Sequence, residues 1–343
     1  MSIESAIRAL PKVDLHVQFE GAINKEFVLL VAEQTDIART YKKAKDYRNA
    51  MSNFKSPKFD DIDTIVRESS SWVRHPEDIA RAVYDLAVIY SKQNVRYAEI
   101  AVTPAIYTDL GMTFQMLMEG LTDGADRAER AWGVKLAWIM SMPRERPRKS
   151  DDIARWATSA TAQKGNVVGL SLVGREDAQP VAQFKKAFQT AEKKDLARVT
   201  HMFSYPDADT FDTVLDIVMP NRLTDAWGVL DSPDAVSYLV EHDIPIVVTP
   251  SREVKLGRIK SVAEYPIQEM LDNGLNVTIG SGMPAMYETT LTDEYLKLAE
   301  AGVSLQEIQL LIRNGIRAGF MPQELKTDLM VEFEQSIIEL QEE

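Results

Sequence analysis

The chain has 343 residues, of which 45% are hydrophobic, so it is long enough to bury a large core in one or two domains. Its formal net charge of −13 argues against nucleic acids and anionic membranes as partners, because both repel an acidic surface. It has no cysteines, which excludes disulfides and thiolate metal sites. Because it lacks both an apolar run of about 18 residues and a signal-like N-terminus, we expect a soluble cytoplasmic protein.

The first predicted strand covers residues 13–17 and ends in a polar cluster before Gly21. His16 and Gln18 are two positions apart, so on a strand their side chains point to the same side, and Gly21 lets the backbone turn. Four amphipathic segments follow, with apolar residues at three- and four-residue spacing. These predicted helices cover residues 25–34, 39–51, 59–72 and 76–93. They predict a helical insertion after the first strand that covers the mouth of a barrel.

From residue 95 onward, apolar segments typical of strands alternate with helical segments. Including the first, the predicted strands cover residues 13–17, 95–103, 134–142, 167–174, 198–203, 222–229, 244–249 and 276–281. This alternation predicts an α/β fold, a parallel (β/α)₈ TIM barrel. No repeat or Gly/Ser linker interrupts the pattern, so we predict a single domain over residues 1–343.

Barrel enzymes form their active sites at the carboxyl ends of the strands, so the residues there make up the predicted site. They include two imidazoles, one carboxylate on a central strand, small hydroxyls and large apolar side chains. The members are His16, Gln18, Phe19, Ser171, Gly174, His201, Met202, Phe203, Ser204, Asp225, Trp227, Ser281 and Met283. Only His16 and His201 are good zinc ligands, fewer than the usual three of a catalytic zinc site. His75 and His242 are expected at the surface.

The sequence resembles the adenosine deaminase family of the amidohydrolase superfamily over nearly its whole length. The first strand, with His16, is similar to that family's H-x-H strand, and three later segments match as well. These are VGLSLVG at residues 168–174, TIGSGMPAM at residues 278–286 and RNG at residues 313–315. The resemblance implies the same barrel. In the family both histidines of H-x-H bind a catalytic zinc, and so does a histidine at the position of His201.

Several positions depart from the pattern that the resemblance implies for zinc-dependent deamination. Gln18 stands at the second histidine of H-x-H, and Gly282 and Met283 stand at the two aspartates of T-D-D-P. Ser204 replaces the glutamate of H-A-G-E, and Asp225 replaces the histidine of R-I-G-H-G. Because zinc deamination needs an activated water and a general acid, we expect no meaningful deaminase activity.

The changes cluster at strand ends and bring in apolar side chains, so we predict a pocket repurposed by design or by selection. The leading hypothesis is a metal-free enzyme that abstracts a proton from an aromatic substrate, with Asp225 as general base and His201 as its partner. Burial among apolar groups would raise the pKa of Asp225. The remaining members would bind the substrate, some by stacking and some by hydrogen bonds. The main candidates for these contacts are Trp227, Phe203, Ser204, Ser281 and Gln18.

A purely structural interpretation of Asp225 stays open beside this hypothesis. In that interpretation Asp225 pairs with Arg222, Arg252 or a backbone amide, since structural ion pairs also perturb carboxylates. Arg252 and Glu253 follow the seventh strand directly, and we predict a local pair between them that contributes little if it is exposed.

Two functional alternatives also stay open. One is a catalytically dead binding protein for a purine-like ligand, and the other is a residual zinc hydrolase of the deaminase type. We therefore predict no cofactor, with zinc only if His16, His201 and Asp225 form a site. The expected partner is a small aromatic molecule, with no nucleic acid and no membrane.

Overall fold

The computed structural model describes residues 2–34, 42–43, 45–46, 49, 70–202 and 209–342. Within these ranges eight parallel strands follow one another around the sheet in chain order, each hydrogen-bonded to the next. They are β1 (Lys12–Gln18), β2 (Val95–Val102), β3 (Lys135–Pro143), β4 (Val167–Val173), β5 (Ala197–His201), β6 (Arg222–Thr224), β7 (Ile246–Val248) and β8 (Val277–Ile279). The predicted (β/α)₈ barrel is confirmed.

Helices lie between the strands and close the chain after β8. The described α-helices are Ile3–Ala9, Phe19–Ala22, Lys25–Gln34, Pro76–Ser91, Pro104–Asp109, Phe114–Trp132, Ser150–Ala157, Ala160–Lys164, Lys185–Glu192, Phe211–Val218, Pro233–Glu241, Pro250–Lys255, Ile267–Asp272, Pro284–Tyr287, Leu291–Glu300, Leu305–Ala318 and Gln323–Glu342. Short 3₁₀ helices occur at Pro147–Lys149, Val181–Phe184, Trp227–Asp231 and Val262–Glu264. Every helix in the described ranges is too short or too polar to cross a membrane.

Part of the predicted insertion lies between β1 and β2. The helices Lys25–Gln34 and Pro76–Ser91 match the first and the last of the four predicted helices. The predicted helices at residues 39–51 and 59–72 fall largely outside the described residues. Pro76 occupies the first turn of its helix, where its missing N–H breaks no helical hydrogen bond. The backbone N–H of His75 donates to the Asp78 carboxylate at 3.0 Å, which stabilises the same helix end.

A bridge between β1 and the segment after β8 closes the barrel. Val17 pairs with Gly282, the N–H of Gln18 donates to the Gly282 carbonyl at 2.7 Å, and the N–H of Gly282 donates to the His16 carbonyl at 2.8 Å. Gly282 has a φ of +63°, and a Cβ at this position would lie 2.9 Å from the Tyr287 ring. A glycine is therefore required where the chain turns beside His16.

The sixth strand is shorter than predicted. The sequence predicts a strand over residues 222–229, but β6 ends at Thr224 because Asp225 adopts a left-handed φ of +51°. Trp227 therefore lies in the 3₁₀ helix Trp227–Asp231 and not at a strand end. The left-handed turn at Asp225 ends β6 and leaves the carboxylate directly after the carboxyl end of the strand.

The core has two apolar parts. The larger part packs the helices onto the outside of the strands. The smaller part consists of Ala101, Ile139 and Val199, which belong to β2, β3 and β5, with Val168 and Phe320 packed against them. Because β3 and β5 are not neighbours in the sheet, these side chains meet inside the barrel. The barrel is therefore a filled core, and its chemistry is restricted to the strand ends.

Candidate active site

His16, His201 and Asp225 meet near the carboxyl ends of β1, β5 and β6. One ligand atom from each lies within 4.8 Å of those of the other two. His16 Nε2 is 3.2 Å from Asp225 Oδ2, and His201 Nδ1 is 3.7 Å from the same oxygen. The two imidazole rings meet edge to face with their centroids 5.3 Å apart. The fold thus brings together two imidazoles and a carboxylate from three strands, and the nearer partner of Asp225 is His16.

Asp225 is buried and held in its ionised form. The backbone N–H of Thr249 donates to Oδ1 at 3.0 Å, and Arg252 Nε lies 3.6 Å from Oδ2. Burial alone raises the pKa of Asp225, but the Arg252 guanidinium and the His16 ring together hold it well below its usual range. The prediction of a raised pKa is therefore wrong, since it counted the apolar surroundings and not the arginine.

His201 is a neutral imidazole at physiological pH. Burial, followed by the neighbouring His16 ring, lowers the pKa of His201 to about 3. Its Nδ1 lies 2.9 Å from the Thr224 hydroxyl, which orients the ring. A neutral imidazole is the form that binds metals. The other two histidines, His75 and His242, are exposed as predicted.

Arg252 is the residue that the sequence analysis underestimated. It does pair with Glu253 as predicted, but the two side chains are only 9% and 1% exposed. The helix Pro250–Lys255 begins two residues after β7 ends, so Arg252 lies in its first turn, next to the strand ends. The structural interpretation of Asp225 named Arg252 and a backbone amide among its possible partners, and both contacts are present.

Gln18 is held in one orientation by two neighbours. Its amide Nε2 donates to the Glu20 carboxylate and to Thr103 Oγ1, the latter at 3.1 Å. Glu20 is fully buried, and burial raises its pKa. Its carboxylate also accepts a hydrogen bond from the backbone N–H of Thr103 at 2.8 Å. These contacts fix the side chain at the position where the family pattern has a zinc-binding histidine.

Two of the three predicted serine hydroxyls are occupied by buried partners. Ser281 Oγ donates to Asp14 at 2.5 Å, and Ser171 Oγ lies 2.8 Å from Ser141 Oγ. The Tyr90 hydroxyl also donates to Asp14, at 3.0 Å. Asp14 was missed, although it stands two residues before His16 on a strand, and the alternation of side chains could have identified it.

Three predicted aromatic and apolar members pack into the protein interior. Phe19 and Met202 are buried in the core, at 1% and 3% exposure. Trp227 packs against Tyr265 with ring centroids 5.9 Å apart, so its ring has a protein partner already. All three side chains therefore contact other side chains of the protein.

Two further predicted members, Met283 and Gly174, follow the ends of β8 and β4. Met283 lies against Gly21, where a Cβ would come within 2.6 Å of the Met283 Cβ. Gly174 follows β4 with a φ of +96°, beside the Glu145 carboxylate. Phe203 and Ser204 lie outside the described residues.

The central group fits a divalent metal by donor type and spacing. Two histidines and one carboxylate form a donor set that holds zinc in catalytic sites of other enzymes. Metal binding requires deprotonated ligands, and here His201 is neutral and Asp225 is ionised before any metal arrives. His201 and Asp225 would therefore release few protons when a metal binds.

Comparison with known proteins identifies the family of this chain. The family model described as Adenosine deaminase matches residues 11–336. This chain belongs to that family. Among curated members, aminodeoxyfutalosine deaminase from Streptomyces avermitilis is 28% identical over 93% of this chain and 89% of its own length. Adenine deaminase from Chlorobium phaeobacteroides is 27% identical over 93% of this chain and 94% of its own. The resemblance inferred from the sequence is confirmed.

Solved structures share the family's barrel. Adenine deaminase from Arthrobacter aurescens superimposes with a TM-score of 0.87 at 22% identity, over 96% of this chain and 99% of that one. An amidohydrolase from Burkholderia ambifaria, solved with bound Zn, superimposes with a TM-score of 0.84 at 19% identity, over 99% and 95% of the two chains.

These comparisons overturn the leading functional hypothesis. The family relatives are deaminases, which favours a hydrolase that removes an amino group over a metal-free enzyme that abstracts a proton with Asp225 and His201. The low pKa of Asp225 gives the physical reason, because such a carboxylate is a weak base. The prediction of no cofactor is wrong as well. A barrel of this family's fold holds zinc, and His16 joins the other two side chains in a group that could bind one.

Proposed function

We propose that this chain is a metal-dependent aminohydrolase that removes an exocyclic amino group from a purine-like molecule. The observation that carries the proposal is the approach of His16, His201 and Asp225 to within 4.8 Å of one another at the strand ends. Membership of the adenosine deaminase family and the deaminase activity of its relatives support the reaction class.

The three side chains would hold the metal. Gln18, whose amide Nε2 already donates to Glu20 and Thr103, would accept a hydrogen bond from the substrate at Oε1. A metal ion bound there would supply Lewis acidity and a water acidic enough to attack at neutral pH. In the overall reaction a C–O bond forms and the C–N bond breaks, one proton of the water passes to the amino group, which leaves as ammonia, and the other proton stays on the product. His201 keeps its neutral ring and Asp225 keeps its charge through the neutral pH range, because the pKa of each is lowered well below it.

Turnover is expected to be slow. Ser204 stands where the family pattern has the glutamate that moves protons to the purine. Loss of one positioned proton donor typically costs about 10² or more in rate. The substitution Ser204→Glu is therefore expected to raise the rate of ammonia release without changing the amount of metal bound.

The test is ammonia release from adenine, adenosine and AMP by metal-stripped protein, before and after zinc is added. We expect release only with zinc, and at least about 100-fold less from Asp225→Asn and His201→Gln, because each loses a ligand. Asp272→Asn, at an exposed aspartate on the helix Ile267–Asp272, is the matched control and should keep the wild-type rate. If zinc-loaded wild type and Ser204→Glu release no ammonia from any of the three compounds, the proposal is wrong.

The same proposal covers the whole chain. We infer that residues 1–343 form a single domain, supported by the family match over residues 11–336 and by a sheet that closes on itself. Location in the cytoplasm stays a prediction.

A further inference from the structure

Arg252 faces the oxygen of Asp225 that a metal would need. Oδ1 of Asp225 already accepts the Thr249 N–H at 3.0 Å, which leaves Oδ2 as the oxygen directed at the histidines. Oδ2 lies 3.2 Å from His16 Nε2 and 3.7 Å from His201 Nδ1. Arg252 Nε lies 3.6 Å from this same atom. One carboxylate oxygen is thus shared between the candidate metal ligands and a permanent cation.

The charges around this oxygen balance without a metal. Asp225 and Glu253 are the buried carboxylates, with side chains 2% and 1% exposed. Arg252 pairs with both of them, and Arg258 Nη1 lies 3.1 Å from Glu253 Oε2. The negative charges of the two carboxylates are therefore balanced by the positive charges of the two arginines. A divalent ion at Asp225 would add two positive charges beside a buried guanidinium, which water cannot screen.

We propose that Arg252 competes with the metal ion for Asp225 and so sets the metal affinity of this site. The inference rests on the proposed function, because it takes His16, His201 and Asp225 as the ligands. Arg252 is a positioning residue here, since it acts through Asp225 and not on the substrate. An opposite charge at this distance stabilises a carboxylate by roughly 10- to 1000-fold in proton binding, and we expect an effect of similar origin on metal binding.

The experiment measures zinc dissociation constants of metal-stripped protein by titration against a chromogenic chelator at pH 7.5. Arg252→Gln is expected to bind zinc about 10- to 100-fold more tightly than the wild type. Arg258→Gln is the matched control, because it removes the same charge from the Glu253 end of the cluster, and it should stay close to the wild type. The gain from Arg252→Gln should vanish in an Asp225→Asn background, as a direct competition for one carboxylate requires.

Arg252→Gln leaves two buried carboxylates with one arginine, so this variant is at risk of misfolding. Arg252→Gln/Glu253→Gln keeps the cluster neutral and tests the same competition. It should also bind zinc more tightly than the wild type, although it has lost a negative charge that attracts the metal. Far-ultraviolet circular dichroism and thermal melting establish which of the two variants is folded and is used for the comparison.

The outcomes separate the inference from the proposed function. The competition is supported if the Arg252 variants bind zinc more tightly than both the wild type and Arg258→Gln. Zinc binding that is detected only in the Arg252 variants supports it as well. Equal affinities of wild type and folded Arg252 variants overturn the inference and leave the metal site intact. An equal gain from Arg258→Gln overturns it too, because the effect would then be one of general charge. Absence of zinc binding in the wild type and in every folded variant overturns the proposed function itself.

Discussion

Two buried arginine–carboxylate pairs stand at opposite ends of β6, and they differ in how completely the protein surrounds them. Arg222 begins the strand and pairs with Glu99 at 2.5 Å, with both side chains fully buried. The same guanidinium donates to the Leu15 carbonyl at 3.1 Å and lies 4.2 Å from the Phe320 ring centroid. Glu99 in turn accepts a hydrogen bond from the Tyr97 hydroxyl at 3.0 Å.

The pair that follows the other end of β6 is looser. Arg252 Nε stays 3.6 Å from Asp225, beyond a hydrogen bond, and the Arg252 side chain is 9% exposed. His16, 3.2 Å from the same carboxylate, is 12% exposed. The inner pair is therefore enclosed by the protein, whereas the outer pair is the one proposed to exchange Arg252 for a metal ion. The three residues of β6 separate the two pairs.

The largest difference should appear when one carboxylate of the inner pair is removed. Glu99→Gln leaves the Arg222 charge buried without compensation, which typically costs about 3–5 kcal/mol of unfolding free energy. Urea unfolding measures this loss. Glu332→Gln is the control, because the Arg96–Glu332 pair is 36% and 39% exposed, and its loss should cost about 0–1 kcal/mol. Equal losses of unfolding free energy in the two variants would show that the inner pair stabilises the fold no more than the exposed pair does.

A second prediction concerns a buried cation at the amino end of the barrel. Lys12 Nζ donates to the carbonyls of Ile7 and Leu10 at 2.7 and 2.6 Å, and burial lowers the pKa of Lys12 to about 7. Native Lys12 therefore loses its proton near pH 7, whereas in the unfolded chain it keeps the proton up to the ordinary lysine value. Stability should rise with pH through this window, by at most about 1.4 kcal/mol per pH unit.

Urea unfolding at pH 7, 8 and 9 tests this linkage. The stability of the wild type relative to Lys12→Met should increase across the series. Lys135, whose side chain is 47% exposed, is the control position, and Lys135→Met should keep a constant offset from the wild type. A pH-independent offset for Lys12→Met would contradict the prediction.

The smallest effect is expected for Ser281→Ala. This substitution tests whether the Ser281 hydroxyl is structural or binds the substrate. Ser281→Ala removes a hydrogen bond to buried Asp14, which keeps its contact with Tyr90, so a loss of about 1–2 kcal/mol is expected. The KM for the amino-purine substrate should stay unchanged, because the hydroxyl is already occupied. Steady-state kinetics and urea unfolding of the same preparation separate the two readouts. A raised KM with unchanged stability would return Ser281 to the substrate-binding residues.

The fold and the position of the site were predictable from the sequence. The pKa of Asp225 and the position of Trp227 were not. The alternation of apolar strand segments with helical segments predicted eight strands, and the general rule for barrels predicted His16, His201 and Asp225 at their carboxyl ends. The pKa of Asp225 was predicted in the wrong direction, because its partner Arg252 follows another strand. The position of Trp227 was also missed, since one left-handed residue ended β6 early.

The sequence by itself determined which segments form strands and helices, their order along the chain and which chemical groups follow the strands. These are local properties, because apolar periodicity follows from the geometry of a single strand or helix. Only the tertiary structure decided that Arg252 meets Asp225 and that Ser281 donates to Asp14. Charges and hydrogen bonds act over a few ångströms in space, and the barrel brings together strands that are far apart in the chain.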